Sequence, residues 1–196
     1  MRMESPGPAH GAAGSPRTPL VGSAAMGTGI FAFTEVMLFA GLTSAFTIIR
    51  SSALAWPPPG QPRLPFEQTA VNTAALLASG VFLIFAQRAF RRDSARARGL
   101  LLLAILLGGL FVVFQGVEWV ALLRAGLTMT SSVLGSFFYL IVGLHALHAV
   151  LALAALVYAW LRLQEGRLRP DLFAGIQVFW YFVVGVWPLI YFRVYP

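Results

Sequence analysis

A single glutamate inside a long apolar run most constrains what this chain can fold into. Residues 26–49 form an apolar run of 24 residues in which Glu35 is the only ionisable group. A helix rises ~1.5 Å per residue and needs ~20 apolar residues to cross a hydrocarbon core, so the run predicts a membrane-spanning helix. A charge costs at least ~2.5 kcal/mol at the centre of such a helix, so we expect Glu35 to face protein or a cavity and to be neutral.

Four further apolar runs follow, and the sequence predicts an all-α integral membrane protein, a bundle of five transmembrane helices. The predicted spans are 26–49, 69–90, 99–123, 136–160 and 172–191. Residues 1–21 are rich in Pro, Gly, Ala and Ser and predict a disordered tail, which leaves 22–196 as a single transmembrane domain. Five prolines in residues 50–66 predict a semi-rigid connector after the first span.

The arginines predict how the bundle is oriented. All 14 basic residues are arginine, and ten fall on one side of the predicted bundle against four on the other. The excess of positive charge on inner segments then places the N-terminus in the cytoplasm and the C-terminus on the outer, periplasmic side of a bacterial inner membrane. Because the arginines lie in short blocks between apolar runs, we interpret them as topology signals and not as a nucleic-acid surface. The largest block is Arg88, Arg91, Arg92, Arg96 and Arg98, with the single acid Asp93.

Buried polar residues are the candidates for function. For Glu35 two roles stay open: an acid that carries a proton or faces lipid, and a neutral acid that joins helices by a hydrogen bond. Gln115 and Glu118 share a helix face, with Arg124 one to two turns beyond, and we expect a hydrogen-bonded or ion-paired structural cluster.

His145 and His148 share a face of the fourth span, which raises the possibility of a metal site or a haem site. Two histidines are too few for a structural metal, and the chain has no cysteine. The Glu-x-x-His pattern of di-iron bundles is absent, because Leu38 and Ala121 follow the two glutamates at that spacing. We therefore predict histidines that form hydrogen bonds between helices, no metal site and no cofactor in this chain.

Several stretches together resemble subunit III of the haem–copper terminal oxidases, the cytochrome c oxidase subunit III family, in a five-helix form. They are TEVMLFAG (34–41), WPPPG (56–60), VNTAALLASG (71–80), FQGVEW (114–119), GSFFYLIVGLHALH (135–148) and WYFVVGVWPLIY (180–191). The resemblance covers nearly the whole chain from Gly27 to Tyr195. The buried polar positions that match the family are Asn72, Gln115, Glu118, His145 and His148, beside Glu35.

The resemblance implies an accessory subunit that is itself non-catalytic and cofactor-free. It would bind oxidase subunit I directly, with subunit II in the same complex, and haem and copper would lie in those partners. It would also bind phospholipid and support proton uptake and sustained activity of subunit I in aerobic electron transport. Other respiratory complexes are further candidate partners. Longer family members build a lipid cleft with two additional helices, so an equivalent cleft here would need lipid or another subunit to complete it.

The chain also departs from the family. Tyr181 and Val184 stand where many relatives have a histidine and an aspartate, and Leu134 replaces a tyrosine. Three alternatives follow: a subunit III of a quinol oxidase or of a nitric oxide reductase-associated homologue, a small proton carrier acting through Glu35, and a haem protein using its two membrane histidines. A copper-binding domain in subunit II would indicate cytochrome c as donor, activity in vesicles containing this chain alone would indicate a carrier, and a Soret band would indicate haem.

Overall fold

The computed structural model describes residues 23–53, 64 and 66–195, which include five α-helices. The helices are α1 (Ser23–Ser52), α2 (Phe66–Ala89), α3 (Ser94–Arg124), α4 (Val133–Gln164) and α5 (Pro170–Val194). Each is long and apolar enough to cross a membrane, which confirms the all-α class with five spanning helices. The predicted tail, and all but the ends of the proline-rich connector, lie outside the described residues.

The helices extend into the polar sequence that flanks the apolar runs. α3 begins five residues before the predicted Gly99, because Asp93 accepts a hydrogen bond from the backbone N–H of Arg96 at 2.9 Å and caps the helix. Ser132 caps α4 in the same way, accepting from the backbone N–H of Gly135 at 3.0 Å. Capping side chains therefore set both starts, and hydropathy alone places them too late.

Among the five helices, α5 has the largest share of its residues buried. It packs against α1, α2 and α4, while α2 packs along α3. Both of its tryptophans, Trp180 and Trp187, are fully buried, and their indole N–H groups donate to Ser79 at 2.9 Å and Thr73 at 2.8 Å on α2. These two tryptophans therefore form contacts between helices.

One glycine on α3 leaves room for an aromatic ring of α5. A Cβ atom added at Gly108 would lie 2.6 Å from the Trp180 ring, so only glycine leaves room for that ring. The neighbouring Gly109 has nothing within 4 Å of its Cβ position. Of these two glycines, only Gly108 is therefore closely packed.

The outer faces of the bundle remain apolar. On α1 the exposed side chains include Phe33, Val36 and Met37, and on α3 they include Leu106, Val113 and Val117. Apolar side chains on the outside and hydrogen-bonded polar groups inside suit a bundle surrounded by lipid. The side of the membrane on which each terminus lies stays a prediction from the arginine count.

Candidate functional site

Two separate groups of polar side chains lie within the bundle. The first, here called the Glu118 cluster, joins α2, α3 and the residue that follows α5. Its members are Thr69, Asn72, Gln115, Glu118 and Tyr195, all of them buried. The second, the Glu35–His148 pair, joins α1 to α4.

The carboxylate of Glu118 is held by directed hydrogen bonds. The hydroxyl of Thr69 lies 3.0 Å from each carboxylate oxygen, and the side-chain amide of Gln115 donates to Oε2 at 3.1 Å. Thr69 belongs to α2 whereas the other two residues lie one turn apart on α3. Glu118 therefore fixes the register between two neighbouring helices.

Gln115 connects the carboxylate to the rest of the cluster. Its amide nitrogen also donates to the hydroxyl of Tyr195 at 2.9 Å, and its amide oxygen lies 3.5 Å from the amide nitrogen of Asn72. That nitrogen donates in addition to the backbone oxygen of Phe111 at 3.2 Å. Burial raises the pKa of the Tyr195 phenol, so this group stays neutral at ordinary pH.

The expected polar cluster around Gln115 and Glu118 is present, but the prediction that included Arg124 is wrong. Arg124 is exposed at the end of α3 and makes no ion pair with Glu118 among the described residues. Arg124 is the last residue of α3 and is exposed, whereas Glu118 is buried and contacts Thr69 on α2. The cluster is closed by Thr69 and Tyr195 instead.

The Glu35–His148 pair has a different geometry. Oε2 of Glu35 lies 3.4 Å from Nε2 of His148, and that oxygen has no well-oriented hydrogen-bond partner among the described residues. The Glu35 side chain keeps 18% of its surface exposed against 8% for His148. The carboxyl group thus lies at the border between the interior and the outer face of α1.

The other ring nitrogen of His148 determines what the pair can do. Nδ1 lies 2.7 Å from the backbone oxygen of Leu144, and a carbonyl oxygen can only accept. Nδ1 therefore carries a hydrogen, and Nε2 is either an acceptor in the neutral ring or a donor in the imidazolium. A proton held between the carboxyl group and Nε2 would fit either form of the ring.

Aromatic rings surround this pair. The rings of Phe39 and Phe182 have their centroids 5.9 Å and 5.5 Å from that of His148, and those of Phe31 and Phe179 lie at 6.1 Å and 6.2 Å. Such rings exclude water while offering no hydrogen bond in their plane. These rings therefore offer the polar atoms of His148 no hydrogen bond.

His145 is packed in rings as well, and the prediction that it bonds to another helix is wrong. It is 1% exposed, its centroid lies 5.0 Å from the Trp187 ring, and neither of its nitrogens has a hydrogen-bond partner among the described residues. His148 lies one helical turn away on α4 and contacts a carboxyl group as well as aromatic rings. Among the described residues His145 contacts aromatic rings but forms no ion pair with a carboxyl group. Local spacing on α4 does not distinguish these two environments.

The chain is similar to known proteins along nearly its whole length. The model of the family described as cytochrome c oxidase subunit III matches residues 12–196. The chain belongs to the cytochrome c oxidase subunit III family. Three curated relatives, each named cytochrome c oxidase subunit 3, are 35% identical in Emericella nidulans, 34% in Corynebacterium diphtheriae and 30% in Synechocystis sp..

The aligned regions cover most of this chain but differing shares of the relatives. They comprise 87% of the chain and 66% of the Emericella nidulans protein, and 87% and 86% for that of Corynebacterium diphtheriae. For the Synechocystis protein the shares are 97% and 81%. The chain therefore spans about two thirds of the fungal relative and more of the two bacterial ones.

Two members of the Glu118 cluster in this subunit III family member, Thr69 and Tyr195, were not predicted from the sequence. Thr69 lies one turn before Asn72 on α2, a spacing that places both side chains on one face and could have indicated a shared partner. Tyr195 lies beyond the last predicted span, so nothing local connects it with Gln115. Among the described residues no group of three or more His, Asp or Glu side chains could hold a metal ion.

Proposed function

We propose that this chain is the accessory subunit III of a respiratory haem–copper oxidase, a cytochrome c oxidase, and is itself non-catalytic. The observation that carries the proposal is the match of the subunit III family along residues 12–196. In this proposal subunit I binds the chain directly, subunit II lies in the same complex, and haem and copper belong to those partners. The membrane is the bacterial inner membrane, with proton uptake on the cytoplasmic side.

The Glu35–His148 pair supports a role in holding a proton for uptake by the partner. In the proposal one proton is held between the carboxyl group and Nε2, so its transfer over 3.4 Å would exchange a neutral pair for an ion pair without changing the net charge. An uncharged pair is also the form that a hydrocarbon surrounding tolerates best. Glu35 is the member that reaches the surface, so a proton would enter or leave through its carboxyl group.

The outer face around Glu35 supports the lipid part of the proposal. Phe31, Val36 and Leu38 are all exposed on α1, next to the partly exposed carboxyl group. Apolar side chains that no other helix covers are suited to contact acyl chains or a partner subunit. In the proposal phospholipid covers this face and limits the access of water to Glu35.

Co-purification tests the assignment. Gentle detergent extraction should yield this chain together with haem- and copper-containing subunits, identified by mass spectrometry and by an optical spectrum. A chain that purifies alone, colourless and able to move protons in vesicles would instead be a small carrier. A Soret band in the isolated chain would indicate a haem protein.

A kinetic experiment tests the accessory role. Removing this subunit from the complex should leave the initial rate of oxygen reduction within about twofold of the intact complex. In this proposal subunit I holds and orients the reacting groups at the metal centres. Proton uptake should slow, and turnover should stop earlier than in the intact complex. Immediate and complete loss of oxygen reduction, with haem retained, would contradict a non-catalytic role.

A further inference from the structure

The arginine block at the turn between α2 and α3 lacks acidic partners. Five arginines fall within residues 88–98, with Asp93 as the only acid. None of the five is within ion-pair distance of a carboxylate in the described part of the chain. Asp93 is already used as the cap of α3, where Oδ1 accepts from the backbone N–H of Arg96. A strong positive charge therefore remains uncompensated at this end of the bundle.

These arginines border a defined pocket, here called the arginine pocket. It encloses about 250 Å³ and is lined by Phe85, Arg88, Ala89, Arg92, Asp93, Arg96 and Leu100. The lining thus combines three arginines and one aspartate with an apolar floor, here meaning the two large apolar side chains and the one small one. Arg88 is additionally placed by its stacking over the Phe85 ring, at 5.9 Å from the ring centroid.

The pocket continues into the lipid-facing surface of the bundle. Val81 lies one turn before Phe85 on the same face of α2, and Leu103 lies one turn after Leu100 on α3. Val81, Phe85 and Leu103 are exposed. A ligand in the pocket would therefore have cations around its head and an apolar surface leading away from it along two spanning helices.

We infer that the arginine pocket binds the headgroup of an anionic phospholipid, with the acyl chains lying on the exposed faces of α2 and α3. Guanidinium groups bind phosphate oxygens through paired hydrogen bonds, and several arginines at a helix end attract anionic lipid. The apolar floor favours a lipid over an acidic protein segment, because such a segment would leave the Phe85 face in contact with water. This lipid site rests on the lipid-binding part of the proposed function.

A second arginine group at the same end of the bundle provides the control. Arg162 and Arg167 lie 3.5 Å and 3.7 Å from the carboxylate of Glu165, and Arg162 also donates to the hydroxyl of Tyr158 at 3.0 Å. Because α2 and α4 end on the same side of a five-helix bundle, both groups face the same lipid leaflet. They differ in that one group is already paired.

The experiment is a titration of the purified complex with phosphatidylglycerol or phosphatidylcholine, followed by native mass spectrometry. The wild type should bind phosphatidylglycerol more tightly. The Arg92→Gln/Arg96→Gln variant should lose about 25-fold of that affinity, at about fivefold for each arginine. The Arg162→Gln/Arg167→Gln variant removes the same charge and should lose less than about fivefold. Where the double variant does not assemble, the single variants Arg92→Gln and Arg167→Gln are compared instead. The Arg92→Gln variant should lose about fivefold of its affinity for phosphatidylglycerol, and the Arg167→Gln variant should lose less.

Three results would overturn the inference. The first is equal binding of both lipids by the wild type, and the second is an equal loss in the two variants, which would indicate general charge attraction. The third is the loss of a co-purifying protein with lipid affinity unchanged, which would indicate an acidic protein partner. Should the chain bind phosphatidylglycerol through these arginines yet lack oxidase subunits, the proposed function fails and the lipid site stands.

Discussion

Glu118 and Glu35 are both glutamates inside spanning helices, but their surroundings differ in kind. Glu118 is surrounded by donors, from Thr69 on a neighbouring helix and from Gln115 on its own. Glu35 faces one imidazole nitrogen at 3.4 Å, on a histidine that is itself packed among aromatic rings. The first environment holds the carboxyl group of Glu118 by several hydrogen bonds, whereas the second offers Glu35 one contact with a titratable ring.

The two environments predict different roles for the two buried acids, a structural one for Glu118 and a proton-exchanging one for Glu35. Hydrogen bonds that satisfy a buried acid offset part of its desolvation, and they disappear when the helices separate, so Glu118 stabilises the contact between α2 and α3. A carboxyl group that shares a proton with a titratable ring adds little to packing, but it can exchange that proton. We therefore expect substitutions at Glu118 to affect stability and substitutions at Glu35 to affect proton behaviour.

The largest effect should follow from Glu118→Leu. The change leaves the hydroxyl of Thr69 and the amide of Gln115 without their acceptor in the interior, and we expect a loss of about 2 kcal/mol in the free energy of unfolding. A denaturant titration of the purified complex, followed by near-UV circular dichroism, measures it. Val117→Leu, on the exposed face of the same helix, is the control and should change stability by less than about 0.5 kcal/mol. Equal effects would remove the distinction between the two acids.

A smaller effect should follow from Thr69→Val. Valine keeps the shape of threonine and removes only the hydroxyl that contacts both oxygens of Glu118, so we expect a loss of about 1 kcal/mol. The matched control is Thr34→Val on α1, where the hydroxyl donates at 2.7 Å to its own helix and is exposed. If both variants unfold at the same denaturant concentration, the bond across the two helices contributes nothing measurable.

The smallest effect on stability, with the clearest spectroscopic change, should follow from Glu35→Gln. We expect a loss below about 0.5 kcal/mol, because Glu35 forms no well-oriented hydrogen bond. Infrared spectroscopy of the parent should show a protonated-carboxyl band that this variant lacks and that Glu118→Gln does not remove in full. Absence of such a band from the parent would show that Glu35 is ionised and would contradict the neutral form predicted from the sequence.

The sequence predicts each buried acid but not its partners on other helices. An apolar run interrupted by Glu35 shows that a carboxyl group is buried, since that conclusion needs only helix rise and membrane thickness. Pairing with His148 requires α1 to pack on α4, and helix contacts of this kind are not encoded in the spacing within either helix. Gln115 and Glu118 were predicted to interact because three residues separate them on one helix. Tyr195 joined them only through the tertiary fold.

The position of α5 has a consequence for how the protein is made. Ser79 and Thr73 on α2, and Gln115 on α3, all have side-chain partners supplied by α5 or by the residue that follows it. α5 follows the other four helices in the chain, so the ribosome releases these partners after the groups they bind. The Trp180 ring that fills the space beside Gly108 arrives with α5 as well. The bundle is therefore completed only once α5 has been made, and a nascent chain arrested before α5 would present an unfinished surface to the quality-control proteases of the membrane.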